Sequence, residues 1–215
     1  GAAATSWAAI ENTLRVLEVT GESAVAVLGF SGTVGEAVAE GLASAGVQVT
    51  VGAKGKALER RAKGLGIDFA PIEDAVRAHR VVIGAGTTGG VLEPGFLQRK
   101  SVLLDVALPS TLKKGRRPEG LVVLAAEAVS LPAGWERGFW GTVYHLISGY
   151  GPSQIYACLA EPMVMAALGI EKPFAQGRRL PLSQVKAFGD AAGEMGLSAR
   201  LAAGWKALDS HQISK

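Results

Sequence analysis

With 215 residues, 48% of them apolar, the chain can bury a sizeable core, as one large domain or as one domain with an appendage. Its 22 basic and 19 acidic residues leave a formal charge of +3, and short basic clusters such as residues 113–117 and 178–179 are too weak to argue for a nucleic-acid surface. One cysteine excludes an internal disulfide or a multi-cysteine metal site, and no run reaches the roughly 18 to 20 uninterrupted apolar residues of a membrane span, so a soluble, cytoplasmic protein without a transmembrane segment or a metal is expected.

The chain opens on Gly1 and enters an amphipathic pattern almost at once, as expected of a piece cut from a longer protein. Over residues 5–19, Ile10, Leu14 and Leu17 recur at helical spacing, with Thr5 or Ser6 as the cap. Residues 24–28 form a short β-branched apolar run that ends in a glycine-rich loop, and residues 34–45 return to helical composition. A second strand over 47–51, a helix over 57–65 and a short strand over 67–70 follow, and Pro71 then opens another helix. Residues 80–85, 101–106 and 121–125 read as three more strands. Strands alternating with helices predict a Rossmann-like, doubly wound parallel sheet, the α/β class.

Beyond residue 130 the pattern changes. Trp135, Phe139, Trp140 and Tyr144 are interleaved with glycine, a helix is expected from near Pro152, and Pro162 should kink or divide the apolar run over 155–168. A second amphipathic helix is expected over 182–195, with Val185, Phe188, Ala192 and Met195 on one face. The predicted organisation is a lead-in helix over 1–19, a nucleotide-binding domain over 20–130 and a helical C-terminal segment over 131–215 that packs on it.

The loop after the first strand reads Gly29, Phe30, Ser31, Gly32, Thr33, Val34, Gly35. A helix start offers unpaired N–H groups and a positive dipole end to a pyrophosphate. Gly29 permits the turn, Gly32 lets the phosphates approach the backbone, and Gly35 lets the helix pack closely. In a chain with 29 glycines such a spacing alone is weak, but its place between a buried strand and a helix makes it a dinucleotide site. An NAD-specific unit carries an acid at the end of the second strand; here Gly52 is followed by Ala53, Lys54, Gly55 and Lys56, with Arg60 beyond, and cations suit a 2′-phosphate. NADP(H) is therefore the expected cofactor, against the alternative that these cations are an ordinary solvated face. Gly84, Ala85, Gly86, Thr87 and Thr88 are candidates for the surface under the nicotinamide ribose.

Cys158 lies in the segment Gln154, Ile155, Tyr156, Ala157, Cys158, Leu159, Ala160, Glu161, Pro162, Met163. A lone cysteine in an apolar helix is most often packing material. Against that, Pro162 lacks the N–H that would bond the Cys158 carbonyl, so a broken helix is expected at this residue. Of the three histidines, His145, near the aromatic segment, is the candidate general acid.

These features together resemble the long-chain acyl-ACP reductases of the cyanobacterial alkane pathway. The resemblance runs through the glycine loop, Leu103, Leu104, Asp105 and Pro109, the segment Val122, Val123, Leu124, the cysteine segment, and Phe174 with Gly177 and Arg178. It implies that Cys158 accepts an acyl group from acyl-ACP or acyl-CoA as a thioester, which NADPH then reduces to a fatty aldehyde. It also implies a further domain before residue 1, which helps receive the acyl chain and its carrier. Apolar surface left by such a domain would favour a homodimer. Two alternatives stay open: an NADP oxidoreductase of the shikimate or quinate dehydrogenase type, which needs no cysteine, and a non-catalytic NADP(H)-binding module.

Overall fold

The computed structural model describes residues 1–132, 153–175 and 179–203, and the backbone of 206–207. The expected first strand forms as β1 (Ala24–Leu28), with Val25 and Val27 buried on one face and Ala26 and Leu28 buried on the other. β4 (Val81–Gly84) and β5 (Val102–Asp105) repeat the alternation: Val81, Ile83, Val102 and Leu104 join the first cluster, Val82 and Leu103 the second. Burial on both faces is what makes these runs read as continuously apolar.

With β2 (Gln48–Gly52), β3 (Asp68–Ala70) and β6 (Val122–Ser130), the parallel strands lie in the order β3-β2-β1-β4-β5-β6. That order defines a doubly wound sheet whose switch point lies between β1 and β4. The chain has a Rossmann-like α/β fold.

The helices are α1 (Ala2–Thr20), α2 (Thr33–Ser44), α3 (Lys56–Gly64), α4 (Ile72–Ala78), α5 (Ala157–Leu168) and α6 (Leu182–Glu194). α1 begins earlier than its apolar spacing indicates, because its first buried residues are alanines, Ala3, Ala4, Ala8 and Ala9. Thr5 and Ser6 are therefore inside the helix and not its caps; the Thr5 hydroxyl donates to the Gly1 carbonyl at 2.8 Å, and Ser6 is buried. Asn12, buried in the same stripe, donates from Nδ2 to the carbonyls of Ala126 (2.8 Å) and Arg200 (3.1 Å), which ties α1 to the sheet. α6 buries Val185, Phe188 and Ala192, the face expected from the sequence.

The C-terminal segment is not wholly helical. β7 (Gln154–Tyr156) and β8 (Ser198–Ala203) both pair antiparallel with β6, and β9 (Lys206–Ala207) pairs with β8. β6 runs on to Ser130, past Ala125, its last residue paired with β5 (to Asp105), and β7 takes up Ala128–Ser130 beyond that point while β8 covers the opposite edge. Pairing in this way satisfies backbone groups that a long exposed β6 would leave open. The helix expected from Pro152 begins only at Ala157, because Gln154, Ile155 and Tyr156 are taken into the sheet. No described helix is long and apolar enough to cross a membrane.

Candidate functional site

The carboxyl ends of β1 and β4 lie side by side, Leu28 in register with Gly84, and the Ala85 N–H donates to the Leu28 carbonyl at 3.0 Å. This is the switch-point crevice, where open α/β sheets bind ligands. Gly29 has φ +90, and a Cβ there would stand 2.5 Å from Ala85 C and Gly86 N, so both conformation and space require glycine. The Gly32 N–H donates to the Gly29 carbonyl at 2.9 Å and closes the turn. Gly32 is the N-cap of α2 and supplies no side-chain cap to its first-turn amides. Gly35 packs on the loop itself: a Cβ there would stand 2.3 Å from the Gly29 oxygen. Its role is thus to admit the loop backbone, beyond the helix-to-sheet packing expected of it.

Gly29, Ser31, Lys54 and Thr87 line one cleft of about 320 Å³, together with Leu28, Phe30, Gly52, Ala53, Leu58, Ile72, Gly86, Thr88, Val91 and Thr111. Gly32, Thr33, Val34 and Gly35 form the turn and the first residues of α2 beside it. Lys56 is exposed at the start of α3 and does not line the cleft, so of the two expected lysines only Lys54 does. The volume falls within the usual range for small-molecule sites, and the lining is mostly apolar with a few polar groups. A larger hollow of about 440 Å³ lies between α1, α2 and α6, bordered by Trp7, Gly41 and Gly189, and none of the expected site residues faces it.

Phe30, which lines the cleft, is braced by a pair between α2 and α3. Glu36, buried in the first turns of α2, accepts a two-pronged pair from Arg61 of α3, and the Arg61 guanidinium lies 5.9 Å from the centroid of the fully buried Phe30 ring. A forked Arg–carboxylate pair fixes orientation as well as charge, and the cation over the ring adds to it.

Cys158 is in the first turn of α5 and is exposed. The expected break at Pro162 does not occur: α5 continues through it to Leu168, since proline removes one ladder bond, to the Cys158 carbonyl, close to the helix start. Protein packed around the sulfur pushes the thiol above its ordinary value. The Gly1 amino group and the N–H groups of Cys158 and Leu159 pull it down, the Glu127 carboxylate pushes it up, and the result stays raised. Among the described residues, only the helix start and the Gly1 amino group favour the thiolate. Glu161 is buried and unavailable to the thiol as a solvated base: it accepts from the Ala4 N–H at 3.0 Å and lies 3.2 Å from the Gly1 nitrogen, so it caps the start of α1.

α1 and α2 run in the same direction. Ala3, Ala4 and Ala8 share a cluster with Ala37 near the start of α2, whereas Val16 and Leu17 share one with Leu42 near its end. The start of α1 is therefore level with the glycine loop, and a Cβ on Gly1 would stand 2.6 Å from the Cys158 Cβ. Cys158 and the nucleotide cleft thus lie at the same edge of the sheet. His145, Arg178 and the aromatic segment from Trp135 to Tyr144 lie outside the described residues.

Two residues at this edge were given no role by the sequence reading: Thr111, which lines the cleft, and Asp105, which entered only through the resemblance. Asp105 ends β5, and Thr111 follows in the loop that Asp105 organises. An acid at the carboxyl end of a parallel strand, with Pro109 shortly after, was the available signal.

No protein-family model matches the chain. A stretch of 132 residues, 58% of the chain, is 31% identical to Aminotransferase PigE of Serratia sp. (strain ATCC 39006), and the match takes in 14% of that protein. Among solved structures, a dipicolinate synthase chain from Bacillus halodurans is 24% identical with a TM-score of 0.45, over 54% of this chain and 47% of that one. Transhydrogenase from Sinorhizobium meliloti is 12% identical with a TM-score of 0.46, over 57% and 46%. Shikimate 5-dehydrogenase from Thermus thermophilus, solved with NADP(H) and shikimate, is 24% identical with a TM-score of 0.37, over 46% and 41%. The chain thus spans a small part of the sequence relative and under half of each of these structures.

Proposed function

We propose that the chain is the NADP(H)-binding portion of an oxidoreductase. The observation that carries this reading is the cleft at the switch point, which has a glycine turn at its phosphate end, Lys54 at the end of β2 and no acid following that strand. Lys54 serves the 2′-phosphate, the α2 start the pyrophosphate, and Thr87 the nicotinamide ribose. When bound, the cofactor supplies a hydride.

The cleft serves a shikimate- or quinate-type reaction without any cysteine; acyl reduction, as in the acyl-ACP reductases, is a second reading. What supports it is an exposed sulfur at a helix start, at the same edge of the sheet as the cleft. Cys158 attacks the carbonyl of acyl-ACP or acyl-CoA, the carrier thiol leaves, and the acyl group stays on the sulfur. A bound NADPH would supply the hydride that reduces this thioester, the C–S bond breaking to release the aldehyde and return the sulfur to Cys158 as thiolate. The α5 first-turn N–H groups favour that thiolate, against the burial that pushes the thiol up. Incubation with acyl-CoA followed by intact-mass measurement should show a hydroxylamine-labile adduct that Cys158→Ser abolishes. An unmodified thiol in the full-length protein, with NADPH-dependent activity surviving Cys158→Ser, would refute the acyl reading and leave the shikimate-type alternative.

A further inference from the structure

The loop after β5 carries a group that the nucleotide reading does not yet use. Thr111 is fully buried and lines the cleft, and among the described residues its Oγ1 has no hydrogen-bond partner. A buried hydroxyl without a partner is costly and calls for an explanation, and binding sites are where such groups persist.

The backbone that carries the hydroxyl is held firmly. Asp105, itself buried, accepts from the Thr111 N–H at 3.0 Å, from the Ala107 N–H at 3.3 Å and from the Ser110 hydroxyl at 2.5 Å. Ser110 Oγ in turn accepts from the Leu112 N–H at 3.2 Å, so the loop is fixed on both sides of Thr111. Gly84 makes room for it: a Cβ there would stand 2.4 Å from Thr111 Oγ1 and 2.9 Å from Asp105 Oδ1. The hydroxyl thus occupies the space over the end of β4 that a side chain would otherwise fill.

Position in the strand order indicates what it meets. Lys54 follows β2 at one end of the cleft, the glycine loop follows β1, and Thr87 and Thr111 follow β4 and β5 at the other end. A dinucleotide whose 2′-phosphate is at Lys54 and whose pyrophosphate is at the α2 start carries its nicotinamide riboside towards β4 and β5. Resting on the NADP(H) reading above, we propose that the Thr111 hydroxyl, swung from Gly84 towards the cleft by rotation of its own side chain, hydrogen-bonds the nicotinamide riboside half of the dinucleotide, with Asp105 as the residue that positions the Thr111 backbone.

The test uses Thr111→Val, which removes the hydroxyl and keeps the shape, and Thr111→Ser, which restores it. NADPH and 2′,5′-ADP, the latter lacking the nicotinamide half, are titrated into each protein and the ligand-free melting temperature is recorded. Thr111→Val is expected to weaken NADPH about three- to tenfold, to leave 2′,5′-ADP unchanged and to melt no lower than the parent, with Thr111→Ser restoring NADPH affinity. Unchanged NADPH affinity in Thr111→Val, or an equal loss for both ligands, would overturn the proposal. Failure of the parent protein to bind either ligand would instead refute the NADP(H) reading on which it rests, and the proposal with it.

Discussion

Gly32 and Gly35 sit three residues apart, at the cap and in the first turn of α2, and the structure gives them opposite sensitivities. At Gly35 a methyl would lie 2.3 Å from the Gly29 oxygen and 2.6 Å from the Gly29 carbon. Those are backbone atoms and cannot swing aside. Overpacking of this kind costs about 2 to 3 kcal/mol, and alanine's better helix propensity returns about 1, so Gly35→Ala should lose about 1 to 2 kcal/mol. At Gly32 the only neighbour is the Gly29 oxygen at 3.4 Å, an ordinary contact, and φ −95, ψ 159 suits any residue. The poorer N-cap costs up to about 1 kcal/mol, and the stiffer unfolded chain recovers about 0.4 to 1, so Gly32→Ala should leave stability nearly unchanged. Its methyl would meet the pyrophosphate instead, with an expected loss of at least about tenfold in NADPH affinity, or about 1.4 kcal/mol. Thermal melts and NADPH fluorescence titrations separate the two. Gly35→Ala should melt about 2 to 8 °C lower, and Gly32→Ala within about 3 °C of the parent. Full NADPH affinity in Gly32→Ala, or an unshifted melt in Gly35→Ala, would refute the assignment.

Three further outcomes follow from the geometry. Lys54→Ala should weaken NADPH about tenfold while leaving NADH nearly unaffected, and Lys56→Ala, outside the cleft, should change the NADPH titration far less. Because packing holds the Cys158 thiol raised, its alkylation by iodoacetamide should rise with pH to a midpoint above that of a free cysteine peptide, at about 8.5; rate measurements at fixed pH would show a lower midpoint if the thiolate were favoured instead. Asn12→Ala removes the donor to two carbonyls, on β6 and β8, and should cost about 1 to 3 kcal/mol, read as a lower melting temperature with NADPH affinity retained in the folded protein.

The parallel half of the fold was legible because its strands are buried on both faces. Val25 to Leu28 and Val81 to Ile83 can only be read as interior, and each glycine or proline between elements marks a real boundary. In the C-terminal half the helix over 182–194 was legible but the strands were not, since Ser198–Ala203 is rich in alanine, arginine and leucine, which favour helix, and becomes a strand because β6 offers it an edge. Gln154–Tyr156 is drawn into the sheet for the same reason, so the helix carrying Cys158 starts later than its apolar run. Of the site, Gly29, Ser31, Lys54 and Thr87 were visible through spacing and charge. Asp105 and Thr111 were not, because their significance lies in a loop folded back over Gly84, a contact between distant residues.

Selection for the 2′-phosphate is read from paired fluorescence titrations of the chain with NADPH and NADH. Saturable NADPH binding at least about tenfold tighter than that of NADH is expected, with the difference removed by Lys54→Ala. Equal or tighter binding of NADH, or no binding of either, would contradict it.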